Sequence, residues 1–186
     1  MIDGRKIEKA MVSIIEAIGE NPKRAGLVDT PRRVADMYAE LFHGLSMDPK
    51  EELVVGFEEE HQEMVVARNI PFYSMCEHHL LPFYGAVHIG YIPRGRVAGV
   101  SKLARVVEIL ARRPQIQERL TTQIADTIVQ ALNPQGVGVV VQAEHLCMIM
   151  RGVQKPGSNI VTSAMRGLFR RSVATRSEFL SLAQGR

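Results

Sequence analysis

The chain has no tryptophan, only two cysteines in 186 residues, and an aromatic content of 5%. A protein that binds nucleic acid by stacking needs aromatics interleaved with a dense cationic stripe. Here the net charge is only +3. The cations sit in small separate clusters at Arg94/Arg96, Lys102/Arg105, Arg112/Arg113 and Arg166/Arg170/Arg171. That distribution argues against nucleic acid as a partner and suits a small polyanion such as a nucleotide. No apolar run approaches the ~18 residues a membrane span needs, so no membrane is expected. No hydrophobic stretch follows Met1–Lys6, so no secretory signal is expected either. The chain is therefore expected in the cytoplasm, where two cysteines are metal ligands or free thiols rather than a disulfide. The G-x-x-x-x-G-K-[ST] phosphate loop and the H-x-E…P-C-x-x-C signature of zinc deaminases are both missing. Repeats and low-complexity tracts are missing too.

What is present is the composition of a soluble domain, with 46% apolar and 23% charged residues. Apolar residues recur at helical spacing over residues 5–19 (Ile7, Ala10/Met11, Ile14/Ile15, Ile18), with Asp3 as cap and Gly19 as stop. Thr30 as N-cap and Pro31 at the first helical position open a second helix. Its expected buried stripe is Val34, Met37/Tyr38 and Leu41/Phe42, with Gly44 as C-cap. Asp48–Glu51 opens a short helix. From about residue 62 the chain turns β-prone, and Pro71–Ser74 leads into a cysteine–histidine stretch. A strand is predicted over Tyr84–Ile92, ended by Pro93-Arg94-Gly95. Helices follow at about Ser101–Arg112 and Pro114–Leu132. A β-branched strand at Gly136–Ala143 continues, after a bend, through Leu146–Met150. A last strand at about Ile160–Met165 precedes a short helix opened by a capping box at Thr175–Glu178. Helices followed by β-β-α-α-β-β predict an α+β fold with a four-stranded antiparallel sheet and a helix pair on one face. The open edges of such a sheet predict pairing with other subunits.

Three groups of residues carry chemistry. Cys76 and His79 stand at C-x-x-H spacing within Ser74–Phe83, and the second cysteine, Cys147, follows His145 by two residues. Together they read as one zinc site assembled from distant strand ends, with three ligands and an open, catalytic position. A structural site with His78 or His145 as fourth ligand, or two unconnected buried cysteines, are the alternatives. His78 and His145, each neighbouring a ligand, are candidate acid and base. In the second group, Gly99 precedes a helix start where Ser101, Lys102 and Arg105 share one side, an arrangement suited to phosphates. Arg151 and Arg33 are further candidate cations. Each of these also reads as an ordinary solvated helix residue. Third, Ile116 and Leu120 are expected to face inwards, leaving Gln117 and Glu118 on a flank. An ionised carboxylate only accepts, which matches the adjacent N1–H and 2-amino donors of a guanine. A plain surface Gln-Glu pair is the alternative.

Read together, Ser-Met-Cys-Glu-His-His, Gly-Tyr-Ile-Pro, Gly-Val-Ser-Lys-Leu-Ala-Arg, Arg-Arg-Pro-Gln-Ile-Gln-Glu-Arg-Leu, His-Leu-Cys-Met-x-Met-Arg-Gly and Val-Thr-Ser stand in an order that resembles the GTP cyclohydrolase I family over about residues 7–183. The resemblance implies a tunnelling (T-) fold whose subunits pool their sheets into a barrel, and a homodecamer of two pentamers with sites at subunit interfaces. With the change of texture at about residue 62, the chain is expected to divide into an N-terminal helical region (1–60) and a T-fold catalytic domain (61–186) within one structural unit. The resemblance also implies conversion of GTP and water to formate and 7,8-dihydroneopterin triphosphate, the entry to pteridine and tetrahydrofolate synthesis. By motif, Cys76, His79 and Cys147 would hold Zn²⁺, and His78, His145 and Ser101 would serve acid–base steps, with His145 protonating the purine N7. Gln117 and Glu118 would hold the guanine. Lys102, Arg105 and Arg151, with Ser101, would hold the ribose-triphosphate end, and Arg33 would reach a neighbouring subunit's triphosphate. A T-fold protein that binds purines or pterins without turnover is the alternative.

Overall fold

Asp3 opens the first helix, α1 (Gly4–Ala17), by accepting the Lys6 N–H on its side chain at 3.1 Å. The computed structural model describes residues 2–54 and 56–185. In α2 (Thr30–Leu41) Asp29 takes the N-cap position predicted for Thr30, and Pro31 sits in the first turn, where its missing N–H has no partner to lose. The two helices pack on each other, yet only Ile15, Pro31 and Ala35 are buried within them. Ile14 and Ile18 are 51% and 71% exposed, so much of the predicted apolar stripe is uncovered in a single chain. Gly44 does not stop α2. It lies buried in a 3-10 turn (His43–Ser46), where a Cβ would collide with the carbonyl of Ile109.

β1 (Gly56–Glu58) belongs to a small ribbon. β2 (Val65–Cys76) and β3 (Leu81–Ile92) form a long hairpin, and β4 (Arg96–Ala98) returns past the predicted Pro93-Arg94-Gly95 turn to pair antiparallel with β1. β2 is one continuous strand with a bulge at Arg68–Asn69, where Asn69 takes φ 56°. Next come α3 (Val100–Ala111), β5 (Pro114–Gln115), α4 (Gln117–Leu132), β6 (Gly136–His145), α5 (Leu146–Ile149), β7 (Ile160–Gly167), α6 (Leu168–Arg171) and α7 (Val173–Gln184).

The main sheet runs in the order β5-β2-β3-β6-β7. Its four long strands are antiparallel, as predicted, and β5 adds a short parallel edge beside Met75 and Cys76. The fold is thus α+β with a five-stranded mixed sheet. Three further local expectations fail. Pro114 does not start α4, because Pro114 and Gln115 are extended to pair with β2 and Ile116 stays extended. Leu146–Ile149 is a helical turn, not more strand. β6 pairs with β3 only as far as His145; the next β3 residue, Pro82, has no N–H to give to the ladder, and Met150 N–H turns back to Leu146 O at 3.1 Å. The last helix is capped by the Ser172 hydroxyl, which accepts from Thr175 N–H at 3.2 Å, ahead of the predicted capping box.

The two-residue period of β6 puts Val137, Val139, Val141 and Ala143 under α3 and α4, where all are fully buried. Burying each valine contributes about 1.5–3 kcal/mol. His145 continues that same face to the rim of the sheet. On the opposite face Phe169 and Phe179 pack edge to face at 5.4 Å over Gly90 and Gly138, which are cross-strand partners. A Cβ on Gly138 would come within 2.6 Å of the Phe169 ring, so this glycine pair is the seat of α6 and α7. Among the described residues no helix is long and apolar enough to cross a membrane.

Candidate metal centre and nucleotide site

β2 ends on Cys76, and β3 begins at Leu81 after a tight turn, Glu77–Leu80. The turn is wound by two N–H groups, of His79 and Leu80, that share the Cys76 carbonyl at 3.3 and 2.8 Å, with Leu80 left-handed at φ 50°. That winding folds His79 back over Cys76. The register of β3 with β6 pairs Phe83 with His145, so the α5 turn that follows carries Cys147 to the same corner. The donor atoms of Cys76, His79 and Cys147 all lie within 4.8 Å of one another. Neither His78 nor His145 joins this group.

Two sulfurs and one imidazole suit zinc and not magnesium or calcium. Three protein donors leave one position for water or substrate. Burial and the neighbouring Cys76 sulfur push the Cys147 thiol up, with Arg151 opposing. A metal must therefore displace its proton on binding. Arg151 donates Nη1 to His79 Nε2 at 3.0 Å, and the His78 Nδ1 lies 3.8 Å from Cys76 Sγ.

The trio opens onto a cleft of about 520 Å³ that also holds His78, His145, Gln117, Glu118 and Arg151. His145 is fixed on two sides. Its ring stacks on Phe83 at 4.7 Å, 5° from parallel, and its Nε2 meets Gln117 Oε1 at 2.7 Å. The Gln117 amide has one possible orientation, because its Nε2 donates to the carbonyls of Val141 (3.1 Å) and Ile160 (2.9 Å) and to Thr162 Oγ1 (3.2 Å). Its Oε1 can only accept, so His145 carries its proton on Nε2 and offers Nδ1 as the basic nitrogen. Burial holds the His145 pKa below the ordinary range, opposed by the Glu118 carboxylate. Strand alternation puts Glu144 on the other face from His145.

Gln117 thus differs from its expected place on a flank. It is buried, with its side-chain amide committed to protein partners. Because α4 starts only at Gln117, after extended Ile116, position 117 turns inward with Leu120. Glu118 does stand exposed at the cleft, with no hydrogen bond or ion pair among the described residues, in the first turn of α4 where the helix dipole favours a carboxylate. Phe83, Thr162 and Gln115 were not singled out from sequence. Thr162 lies within the Val-Thr-Ser motif, but nothing in the local pattern marks Phe83, just ahead of the predicted strand, or Gln115, inside the predicted Pro114–Leu132 helix, as part of the site. Gln115 lines the cleft with its Nε2 donating to Leu110 O and Gln123 Oε1 at 2.9 and 2.8 Å.

A family model described as GTP cyclohydrolase I matches residues 7–184. The chain belongs to the GTP cyclohydrolase I family. GTP cyclohydrolase 1 of Pelotomaculum thermopropionicum is 65% identical over 186 residues, spanning 100% of this chain and 99% of that one. The protein of the same name from Dehalococcoides mccartyi is 62% identical, spanning 99% and 98%. That of Carboxydothermus hydrogenoformans is 64% identical over 183 residues, spanning 98% and 95%.

The cations expected from the family motifs are not brought to the cleft within this chain, Arg151 excepted. Ser101 and Lys102 stand at the start of α3, where Lys102 Nζ pairs with Glu52 at 3.0 Å. Arg105 lines a separate cleft beside Tyr73. Arg33 is exposed on α2 and paired with Asp29 at 3.4 Å.

Proposed function

We propose that the protein is a zinc-dependent GTP cyclohydrolase I that converts GTP and water to formate and 7,8-dihydroneopterin triphosphate. The observation that carries the reading is the convergence of Cys76, His79 and Cys147 with His145 and an unpaired carboxylate, Glu118, in one cleft. Cys76, His79 and Cys147 would hold the zinc, which would supply a water of lowered pKa for hydrolysis at purine C8. The Glu118 carboxylate accepts from the guanine N1–H and 2-amino group. With Nε2 committed to Gln117, His145 must first take up a second proton from solvent on Nδ1, and it is this proton that it delivers to the purine N7, which makes C8 more electrophilic. Gln117 orients His145 through its side chain in this reading, and guanine recognition falls to Glu118. His78 and Ser101 serve the later proton transfers of ring opening, formate release and ribose rearrangement.

We further assign a T-fold homodecamer of two stacked pentamers in the cytoplasm, with sites shared between subunits. Three features support the sharing. The apolar stripe of α1 is uncovered, β7 has an open edge, and Ser101, Lys102 and Arg105 lie away from the cleft of their own chain. A neighbour's α3 would bring its cations to the triphosphate, joined by Arg151 and by Arg33 from α2. The 1–60 and 61–186 division follows the same assembly, the first region serving contacts and the second the site. A purine or pterin binder without turnover has no use for a three-donor metal site with an open position. The deciding assay is formate release from GTP by zinc-loaded protein, and metal-replete protein that binds GTP without releasing formate would favour the binder.

A further inference from the structure

Two motif residues remain without a role, Glu77 between the ligands Cys76 and His79, and Arg119 beside Glu118. They find each other. Arg119 clasps the Glu77 carboxylate in a two-pronged ion pair, Nη1 to Oε2 and Nη2 to Oε1, the latter at 3.0 Å. The planar fork of a guanidinium matches both carboxylate oxygens at once, so the pair fixes direction as well as distance. The base of the turn is held by the backbone, through the β2–β5 pairing at Met75 and Cys76, the Cys76–Leu81 pair of the hairpin and the Glu77 N–H to Gln115 O bond at 3.0 Å. The ion pair adds a side-chain attachment from the turn itself to the first turn of α4.

What is held is specific. The Glu77–Leu80 turn carries His78 and His79 and has left-handed backbone at Leu80. The first turn of α4 carries Gln117, which orients His145, and Glu118. Glu77 and Arg119 therefore join the segment that supplies a metal ligand to the segment that supplies the carboxylate and the support of His145. We propose that Glu77 and Arg119 are positioning residues that set the metal-ligand turn at its working angle to the nucleotide-recognition helix. Their effect on GTP turnover rests on the function proposed above, whereas their effect on metal retention does not. The two side chains are 31% and 42% exposed. A pair so placed contributes little to global stability. Its loss should therefore be felt at the site and not in the fold.

The test is a double-mutant cycle with Glu77→Ala, Arg119→Ala and the double variant, plus Arg119→Lys, which keeps the charge without the fork. Zinc affinity is read by chelator competition, kcat and KM with GTP, and folding by thermal melting. Each alanine variant should bind zinc about tenfold more weakly, as loss of groups that orient metal ligands does. Each should also lose about tenfold in kcat with KM within about threefold of wild type, since Glu118 is untouched. The double variant should be no worse than either single, and Arg119→Lys should behave like Arg119→Ala. Additive losses, wild-type behaviour of Arg119→Lys, or zinc affinity and kcat unchanged in all variants would overturn the proposal. A wild type that releases no formate while the variants still lose zinc would sink the GTP reading and leave the clamp standing.

Discussion

The side-chain oxygen of Gln117 takes the Nε2 proton of His145 at 2.7 Å, while the nitrogen of the same amide donates to the carbonyls of Val141 and Ile160. One buried amide thereby ties the imidazole to β6 and to the start of β7, and decides which imidazole nitrogen is free. Replacing Gln117 by leucine keeps the volume and removes both functions. The expected result is at least a tenfold loss of kcat, with stability reduced by about 1–3 kcal/mol because buried carbonyls lose their donor. Preference for GTP over ATP should survive, since it is assigned to Glu118. Steady-state kinetics with both nucleotides, beside thermal melts, check this. Lost selectivity would return Gln117 to the guanine.

Glu118→Ala should do the opposite. The carboxylate lies exposed at the cleft and makes no hydrogen bond or ion pair among the described residues, so its removal should leave the melting temperature within a degree or two. Binding of GTP should weaken by about tenfold or more, the scale of a lost charge-assisted hydrogen bond. Discrimination against ATP should vanish. Competition binding with GTP, ATP and ITP reads it, and an unchanged GTP preference would remove Glu118 from the guanine site.

How much of this was legible in sequence depends on the reach of each interaction. The metal trio was legible because Cys76 and His79 share one turn and the second cysteine stands beside a histidine. The four long strands and the two central helices were legible from their apolar periods. Gln117 was misplaced because its partners, Val141, Ile160 and Thr162, come from strands far along the chain, and no local pattern announces them. The Leu-Cys-Met-Ile-Met run reads as strand, yet it curls where the ladder with β3 stops at His145, next to Pro82, which has no N–H to give. Residue type marked Ser101, Lys102 and Arg105 as phosphate ligands, but their distance from the cleft arises from the fold of the single chain. In the proposed assembly a neighbouring subunit closes it.

Shared sites make a prediction of their own. Arg105→Ala and Cys147→Ser subunits should each be inactive as pure oligomers. When the two are mixed by refolding, some interfaces should combine an intact metal trio with an intact α3 and recover activity, up to about a quarter of wild type for random pairing of two subunits per site. Measured turnover that stays at the level of the separate variants would contradict sharing between subunits.

A pH dependence of stability follows from His88, which is 9% exposed on β3 and accepts Asn69 N–H on Nδ1 at 3.4 Å. Burial, then the Arg68 guanidinium, hold its pKa below the ordinary histidine value. The unfolded chain therefore takes up the proton first as pH falls below about 6.5, and stability drops from there downward through the folded-state pKa. Above about pH 7 both states are neutral at His88 and its contribution is flat. Melting temperatures of wild type and His88→Asn over pH 5–8 test this. The wild type should lose more stability than the variant on the acid side, and parallel curves would remove His88 as the cause.

Hydrolysis at purine C8, with Cys76, His79 and Cys147 holding the metal and His145 supplying the proton, can be followed with GTP carrying ¹³C at C8. Zinc-loaded wild type should release the label as formate. Cys147→Ser should retain the fold by circular dichroism, lose zinc and release none, whereas His145→Ala should keep zinc and still release none. Labelled formate from Cys147→Ser at the wild-type rate, or no labelled formate from zinc-replete wild type, would contradict the account.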